Sequence, residues 1–335
     1  AKRSQRTGQV IFLPFYGQST AFIAHENDVM EGSERNVALS GIRTYDIFMA
    51  DDHSVNGALT ISNEALYATI LAKKQLVTIY PAEYGKSDVF FVEYGLQSGL
   101  KKLALTCGHD HNQEIKEVRQ NNNFQSRLAG ITIGSKRYNY RVAIVATGEF
   151  YVKNGNNDSQ VNTKVINSVN SISAIYRNEM SFTLNVGSRV FLYRNPATDP
   201  FIPDMSGGEG RTVQAGKIVP MNFSPTSFDI GHVFHTHEEG DGWSGGGLAQ
   251  LQSVCDGFVS ADGKLSKASA WSGAYENEGS GWISLAAHEF GHQFGATHTF
   301  NGIGESCTDN ISESTSFEIG SGTTIMSYNG ICDAP

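Results

Sequence analysis

Apolar residues in the first hundred positions come in short bursts. GQVIFLPF (8–15), IRTYDIFMA (42–50), ALYATIL (65–71), QLVTIY (75–80) and DVFFVEY (88–94) are rich in aromatic and β-branched side chains. Turn residues separate several of them, which is the pattern of strands. They predict a small β domain ending near residue 105. HDHNQEIKEVRQNNNFQSR (109–127) has no apolar periodicity and reads as a linker or exposed segment. The pattern then changes. RYNYRVAIVATGEF (137–150) reads as a buried strand. Over 158–179, Val161, Val165, Ile166, Val169, Ile172 and Ile175 recur at helical spacing, with Asp158 as a candidate cap. SFTLNVGSRVFLYR (181–194) returns to strand character, and a looser Pro/Gly-rich region leads to strands at DIGHVFHTH (229–237) and GGGLAQL (245–251). WISLAAHEFGHQF (282–294) is helical up to Gly295, a sensible terminator. This order predicts an α/β domain after a β-rich one, divided as 1–125 and 126–335.

A chain of 335 residues with 39% hydrophobic content can bury a sizeable core, and its length favours two domains over one. The net charge of −9 argues against nucleic acid or an anionic membrane as the main partner. No apolar run approaches the roughly 20 residues of a membrane helix. The opening AKRSQRTG lacks the apolar core of a signal peptide, so any such peptide is expected to be absent or already removed. A monomer is expected. Cys107, Cys255, Cys307 and Cys332 are too few for a disulfide scaffold and contain no CxxC pair.

HEFGHQFGATH (288–298) carries the chemistry. Residues four apart share a helix face, so His288 and His292 can direct imidazole nitrogens at one ion. Glu289 is displaced around the helix, able to reach a water without being a ligand. Gly295 permits a sharp turn that returns His298 as a third ligand. Three protein ligands with an open fourth position make a catalytic zinc. The competing interpretation is an amphipathic helix with surface histidines, and the register of the GxxH extension makes that coincidence rare. HVFHTH (232–237) offers His235 and His237 on one face of a strand, but no third partner is evident; exposed or hydrogen-bonded histidines are the simpler expectation. His109 and His111 take the same discount.

HExxHxxGxxH followed by SGTTIMSY, which supplies Met326, resembles the metzincin peptidases. From about 138 onward, RVAIVATGEF, FLYRNPATDPF, DIGHVFHT, AAHEFGHQFGATHTFNG and GSGTTIMSYNGIC are similar to bacterial reprolysin-like (adamalysin-related) secreted metallopeptidases. The resemblance implies a metzincin catalytic domain: a twisted mixed sheet with helices, an active-site helix and a Met-turn, preceded by a β-rich prodomain. It implies a secreted zinc endopeptidase acting on proteins or peptides, with Glu289 as general base and Met326 as an apolar base beneath the histidines. Tyr328 would either approach the metal and the transition state or serve as a wall residue. Substrate would lie extended along an edge strand at Gly246, Gly247 and Leu248. Two departures stand out. Thr299 follows the third histidine where animal reprolysins carry aspartate. The chain also ends at Pro335, so either the usual C-terminal helix is removed or the fold is expected to close differently.

Cys107 precedes the linker, where a latency segment of such a protease would lie. A thiolate is a good zinc ligand, so the resemblance implies a zymogen held by a cysteine switch, with the propeptide as intramolecular inhibitor; a disulfide or a free buried thiol are the alternatives. It also implies a bridge from Cys332 to either Cys255 or Cys307. SCTDN (306–310) could hold calcium, but no EF-hand-like spacing is present, so calcium is not predicted. A non-catalytic binding or adhesion module on the same scaffold is the other reading, and the intact Glu289 speaks against it.

Overall fold

The computed structural model describes residues 8–32, 36–72, 75–86, 89–95, 137–202, 208–238, 246–329 and 332. Cys107, the 109–127 linker, and the expected boundary at 125 lie outside these residues.

Seven strands in simple meander order form the first sheet: β1 (Gln9–Phe15), β2 (Gln18–Glu26), β3 (Arg43–Met49), β4 (Asn56–Ile61), β5 (Leu66–Ala72), β6 (Gln75–Pro81) and β7 (Phe90–Tyr94). Every neighbouring pair is antiparallel. One face carries its own core of Leu13, Phe15, Phe22, Ile47, Leu59, Ile70, Val77 and Ile79. The sheet curls until its ends approach: the Tyr16 amide donates to the Tyr94 hydroxyl at 2.8 Å, and the two rings stack at 5.2 Å. Five of the strands fall on the apolar bursts of the sequence. β2 and β4 do not, because QSTAFIAHE and NGALTI mix small and polar residues with few aromatic or β-branched ones. Gly57 in β4 is required by space, since a Cβ there would collide with the Thr69 carbonyl of β5.

The second sheet runs β10 (Val190–Leu192), β8 (Tyr138–Ala146), β11 (Ile230–Thr236), β13 (Ala270–Ala274) and β12 (Gly247–Ala249), with β9 (Phe182–Asn185) also pairing with β8. All pairs are parallel except β12 with β13. β8 is central and covered on both faces, which explains its continuous apolar run. Val142, Ile144 and Ala146 join one cluster, and Ala143 and Val145 the other.

Helices α1 (Gly148–Lys153), α2 (Asp158–Met180), α3 (Gly208–Asn222) and α4 (Gly279–Gln293) complete this half. The six periodic apolar residues of α2 are all buried in the core. Its cap is Asn157, not Asp158: the Asn157 side chain accepts from the amides of Ser159 (2.9 Å) and Gln160 (3.2 Å). Asp158 lies in the first turn and pairs with Arg194 at 2.7 Å. α3 lies within the region that reads as loose. Its three glycines and Pro220 weaken the helical signal, yet Ala215, Ile218 and Val219 are buried. Gly216 lets the helix approach closely, because a Cβ would fall 2.5 Å from Lys264 Cγ and Ser269 Oγ.

The first sheet docks its other face on α2. Thr163, Asn167, Asn170, Ser171, Arg177 and Asn178 recur at helical spacing on the side opposite the core. Asn170 Nδ2 donates to the Leu59 carbonyl and Thr60 hydroxyl, each at 3.0 Å, and its Oδ1 accepts from Asn27 at 2.8 Å. The Thr69 and Ser171 hydroxyls meet at 2.8 Å. Arg177 pairs with Asp46 and donates to the Gly57 carbonyl. Apolar contact comes from the β2–β3 excursion, which places Val29, Met30, Leu39 and Ile42 in the α/β core, and from Leu71 and Leu76 packed against it. A further tie reaches α4. The Ser280 amide, in the first helical turn, donates to Glu93 Oε2 of β7 at 2.8 Å, while Glu278 at the N-cap makes no side-chain cap bond.

Candidate metal centre

α4 delivers His288 and His292 one turn apart, both buried, as their spacing requires. The helix stops where Gly295 adopts φ +92°, and the Gly295 and Ala296 amides bond back to the carbonyls of His292 (2.8 Å) and Gly291 (2.9 Å). The reversal brings His298, also buried, to the same place. Nε2 of His288 lies 3.0 Å from Nε2 of His292 and 3.2 Å from Nε2 of His298.

Tautomers follow from the outer nitrogens. His288 Nδ1 faces the Ile325 carbonyl at 2.8 Å, His292 Nδ1 the Ala296 carbonyl at 2.7 Å, and His298 Nδ1 the Asn310 carbonyl at 2.7 Å. A carbonyl only accepts, so each Nδ1 carries the proton and each Nε2 presents a lone pair. Three lone pairs aimed at one point repel one another unless a cation sits between them. The residues fit a metal ion bound by three neutral imidazoles, each oriented by a backbone acceptor. Among the described residues this is the only group of three or more His, Cys, Asp or Glu side chains with ligand atoms within 4.8 Å of one another.

Glu289 is buried on the same helix, under the last strand of the sheet. A Cβ on Gly247 of β12 would lie 2.5 Å from Glu289 Cγ, so the strand and the carboxylate approach as closely as a glycine allows. Leu248 and Ala249 of this strand are buried and pair with Trp271 and Ala270. Gly291 plays a similar part toward Met326, whose sulfur occupies the space a Cβ would take. The Tyr176 hydroxyl of α2 donates to the Ala287 carbonyl, and burial together with the Glu289 charge keeps that hydroxyl protonated. Tyr328 is buried, its ring centroid 4.9 Å from that of His298 and 5.8 Å from that of His288.

The HVFHTH histidines do not join this group, and all three are buried. His232 sits between Gln293 Oε1 and Ser272 Oγ, each at 2.9 Å, and stacks on Phe290 at 4.4 Å. Burial pushes its pKa down to about 4, so it is a neutral pin between α4 and the sheet. His235 bonds Thr147 at 2.9 Å, and His237 packs against its ring at 5.2 Å. Cys307 and Cys332 form a disulfide with Cα atoms 5.6 Å apart. Cys255 is therefore corrected as a bridge candidate: it is a free, exposed thiol on a turn at φ +61°.

Buried histidines converging on one point from a helix and the turn after it, with a carboxylate alongside under an edge strand, define the class of metal-dependent hydrolases. Residues 136–335 match the family described as Metallo-peptidase family M12B Reprolysin-like, and the chain belongs to that family. A search of the curated proteins finds no match. Among solved structures the chain is similar to metalloproteinase-II from Bacteroides fragilis, at 13% identity over 92% of this chain and 86% of that one, with a TM-score of 0.41. Family membership makes the chain a metallopeptidase. No described helix is long and apolar enough to cross a membrane.

Proposed function

We propose that the protein is a secreted zinc endopeptidase of the metzincin type in latent precursor form, acting as a monomer on extracellular proteins or peptides. The observation that carries the reading is the convergence of the three Nε2 atoms, each Nδ1 facing a backbone carbonyl, beside a buried Glu289. His288, His292 and His298 would hold zinc, which when bound would supply Lewis-acid polarisation of a carbonyl and acidification of water. Glu289 takes the proton from the attacking water and hands it to the leaving amine. Tyr328 donates a hydrogen bond to the developing oxyanion. Gly246, Gly247 and Leu248 pair with the main chain of an extended substrate, and β12, as the last strand of its sheet, suits that role. Met326 is the Met-turn methionine, packed under α4 where Gly291 leaves room.

Residues 1–125 are read as the propeptide and 126–335 as the catalytic unit. The polar face that α2 turns to the first sheet supports this division, because a face of Asn, Ser and Thr tolerates water once uncovered. Cys107 is read as the latency ligand. Glu289→Ala is the test: the variant should bind one zinc per chain and fail to clear casein, and retained turnover would overturn the assignment. Cys107→Ala should yield a precursor that processes itself; an unchanged latent chain would remove the switch.

A further inference from the structure

Glu318 lies 20 residues beyond the third histidine, outside every motif in the sequence, yet its carboxylate is heavily bonded. Oε1 accepts from the hydroxyls of Thr299 and Thr324, each at 2.5 Å. Oε2 accepts from the Thr323 amide (2.7 Å), the Thr324 amide (3.1 Å) and the Thr323 hydroxyl (3.2 Å). One carboxylate thus receives five bonds from two separate segments. The first segment begins at Thr299, directly after His298. The second is the 321–328 turn, which supplies Ile325 as acceptor for His288 Nδ1, Met326 beneath the helix, and Tyr328. Backbone bonds complete the junction: Glu318 N to Thr299 O (2.7 Å), Thr299 N to Met326 O (3.1 Å), and Tyr328 N to Ser321 O (2.9 Å). Gly322, at φ +72°, makes room for it, since a Cβ there would lie 3.0 Å from Glu318 Cδ.

We propose that Glu318 is a positioning residue for the metal centre: a carboxylate rivet that fixes the turn carrying Ile325, Met326 and Tyr328 against the segment leaving His298. It touches neither the histidine nitrogens nor the space between them. Its effect passes through His288, whose ring is held by the Ile325 carbonyl, and through Tyr328. Although burial works against ionisation, the bonds from Thr299, Thr324 and the two amides hold the carboxyl below its usual range, so it is charged at neutral pH. A neutral amide of the same shape must turn one N–H pair toward these donors, losing bonds that charge had strengthened.

The inference rests on the zinc reading of the histidines, but its first readout does not. In the full chain, Glu318→Gln should speed amide exchange at 299 and 323–328 by about 10-fold or more while the amides of β1–β7 stay unchanged. With the chain loaded with cobalt, the variant should show an altered visible band, and a chelator should extract the metal about 10- to 100-fold faster. Thr299→Asp should disturb the turn in the presence of Glu318, by setting two carboxylates together, and should be relieved when combined with Glu318→Gln. Exchange, spectrum and extraction rate all equal to wild type in Glu318→Gln would overturn the proposal, as would strictly additive effects of the two substitutions. The exchange result reads the turn whether or not the wild type cleaves casein, so it fails or succeeds apart from the proteolytic reading.

Discussion

The two long faces of α2 are built on opposite rules. Toward the α/β core it presents Val161, Val165, Ile166, Val169, Ile172 and Ile175, each fully or almost fully buried. Toward the seven-stranded sheet it presents amides, hydroxyls and one guanidinium. Burial of an aliphatic side chain stabilises by about 1.5–3 kcal/mol. A hydrogen bond that replaces water contributes only about 1 kcal/mol net, yet leaving one partner buried and unpaired costs more. The aliphatic face therefore holds through area, and the polar face holds through matching. Such a surface matches its own sheet closely. The excursion carrying Val29, Met30, Leu39 and Ile42 breaks the rule, as do Leu71 and Leu76 packed against the same core, and together they give the polar contact an apolar anchor.

The largest break in this contrast should come from the Arg177–Asp46 ion pair in the polar face. Asp46→Ala leaves the largely buried Arg177 guanidinium without its charge partner and should cost about 3–5 kcal/mol in urea unfolding. Adding Arg177→Met should recover most of it; a loss below about 1 kcal/mol for the single variant would mean that the polar face is not matched. On the other side, Cys332→Ser opens a loop spanning 25 residues and should cost about 3 kcal/mol. Faster amide exchange should then appear between 307 and 332 and not in β1–β7.

A pH effect of similar size belongs to the α/β half alone. Unfolded, the His232 imidazole takes a proton near pH 6.5, whereas folded it does so only near 4. Its neutral burial thus contributes full stability above about pH 6.5, and that contribution, about 3 kcal/mol, is lost as pH falls toward 4. Denaturation series at pH 7 and 4.5 should show the drop in the wild type and a smaller one in His232→Asn. The finest test is within the polar face. Ser171→Ala should cost about 1 kcal/mol by stranding the Thr69 hydroxyl, and adding Thr69→Val should restore much of it. Equal losses in the single and double variants would show that the hydroxyl pair is not coupled.

Legibility in the sequence tracked how local the cause was. The histidine spacing, the Gly295 reversal and the apolar stripe of α2 depend on residues a few positions apart, and all appear as written. Five strands of the first sheet are legible for the same reason. β4, β13 and α3 were hidden because their identity depends on what they approach: Gly57 on the Thr69 carbonyl, Gly216 on Ser269, and small residues in AWSGA on the two layers enclosing them. Asp158 next to Asn157 shows the usual one-residue ambiguity of a cap. Tyr176 and Glu93 carry no motif at all, since each acts on a segment far away in the chain. Glu318 carries none because its partners Thr299, Thr323 and Thr324 follow no helical or strand spacing.

The bond from Glu93 to the Ser280 amide joins the seven-stranded sheet to the helix that carries His288, Glu289 and His292. Two events, sheet docking and ion capture, therefore act on one rigid body. Thermodynamic reciprocity then binds them: by whatever factor the docked sheet changes the affinity of the three imidazoles for an ion, the ion changes the affinity of the sheet for its seat by the same factor. Any effect of the seven-stranded sheet on ion affinity is thus matched by an equal effect of the ion on the seating of the sheet.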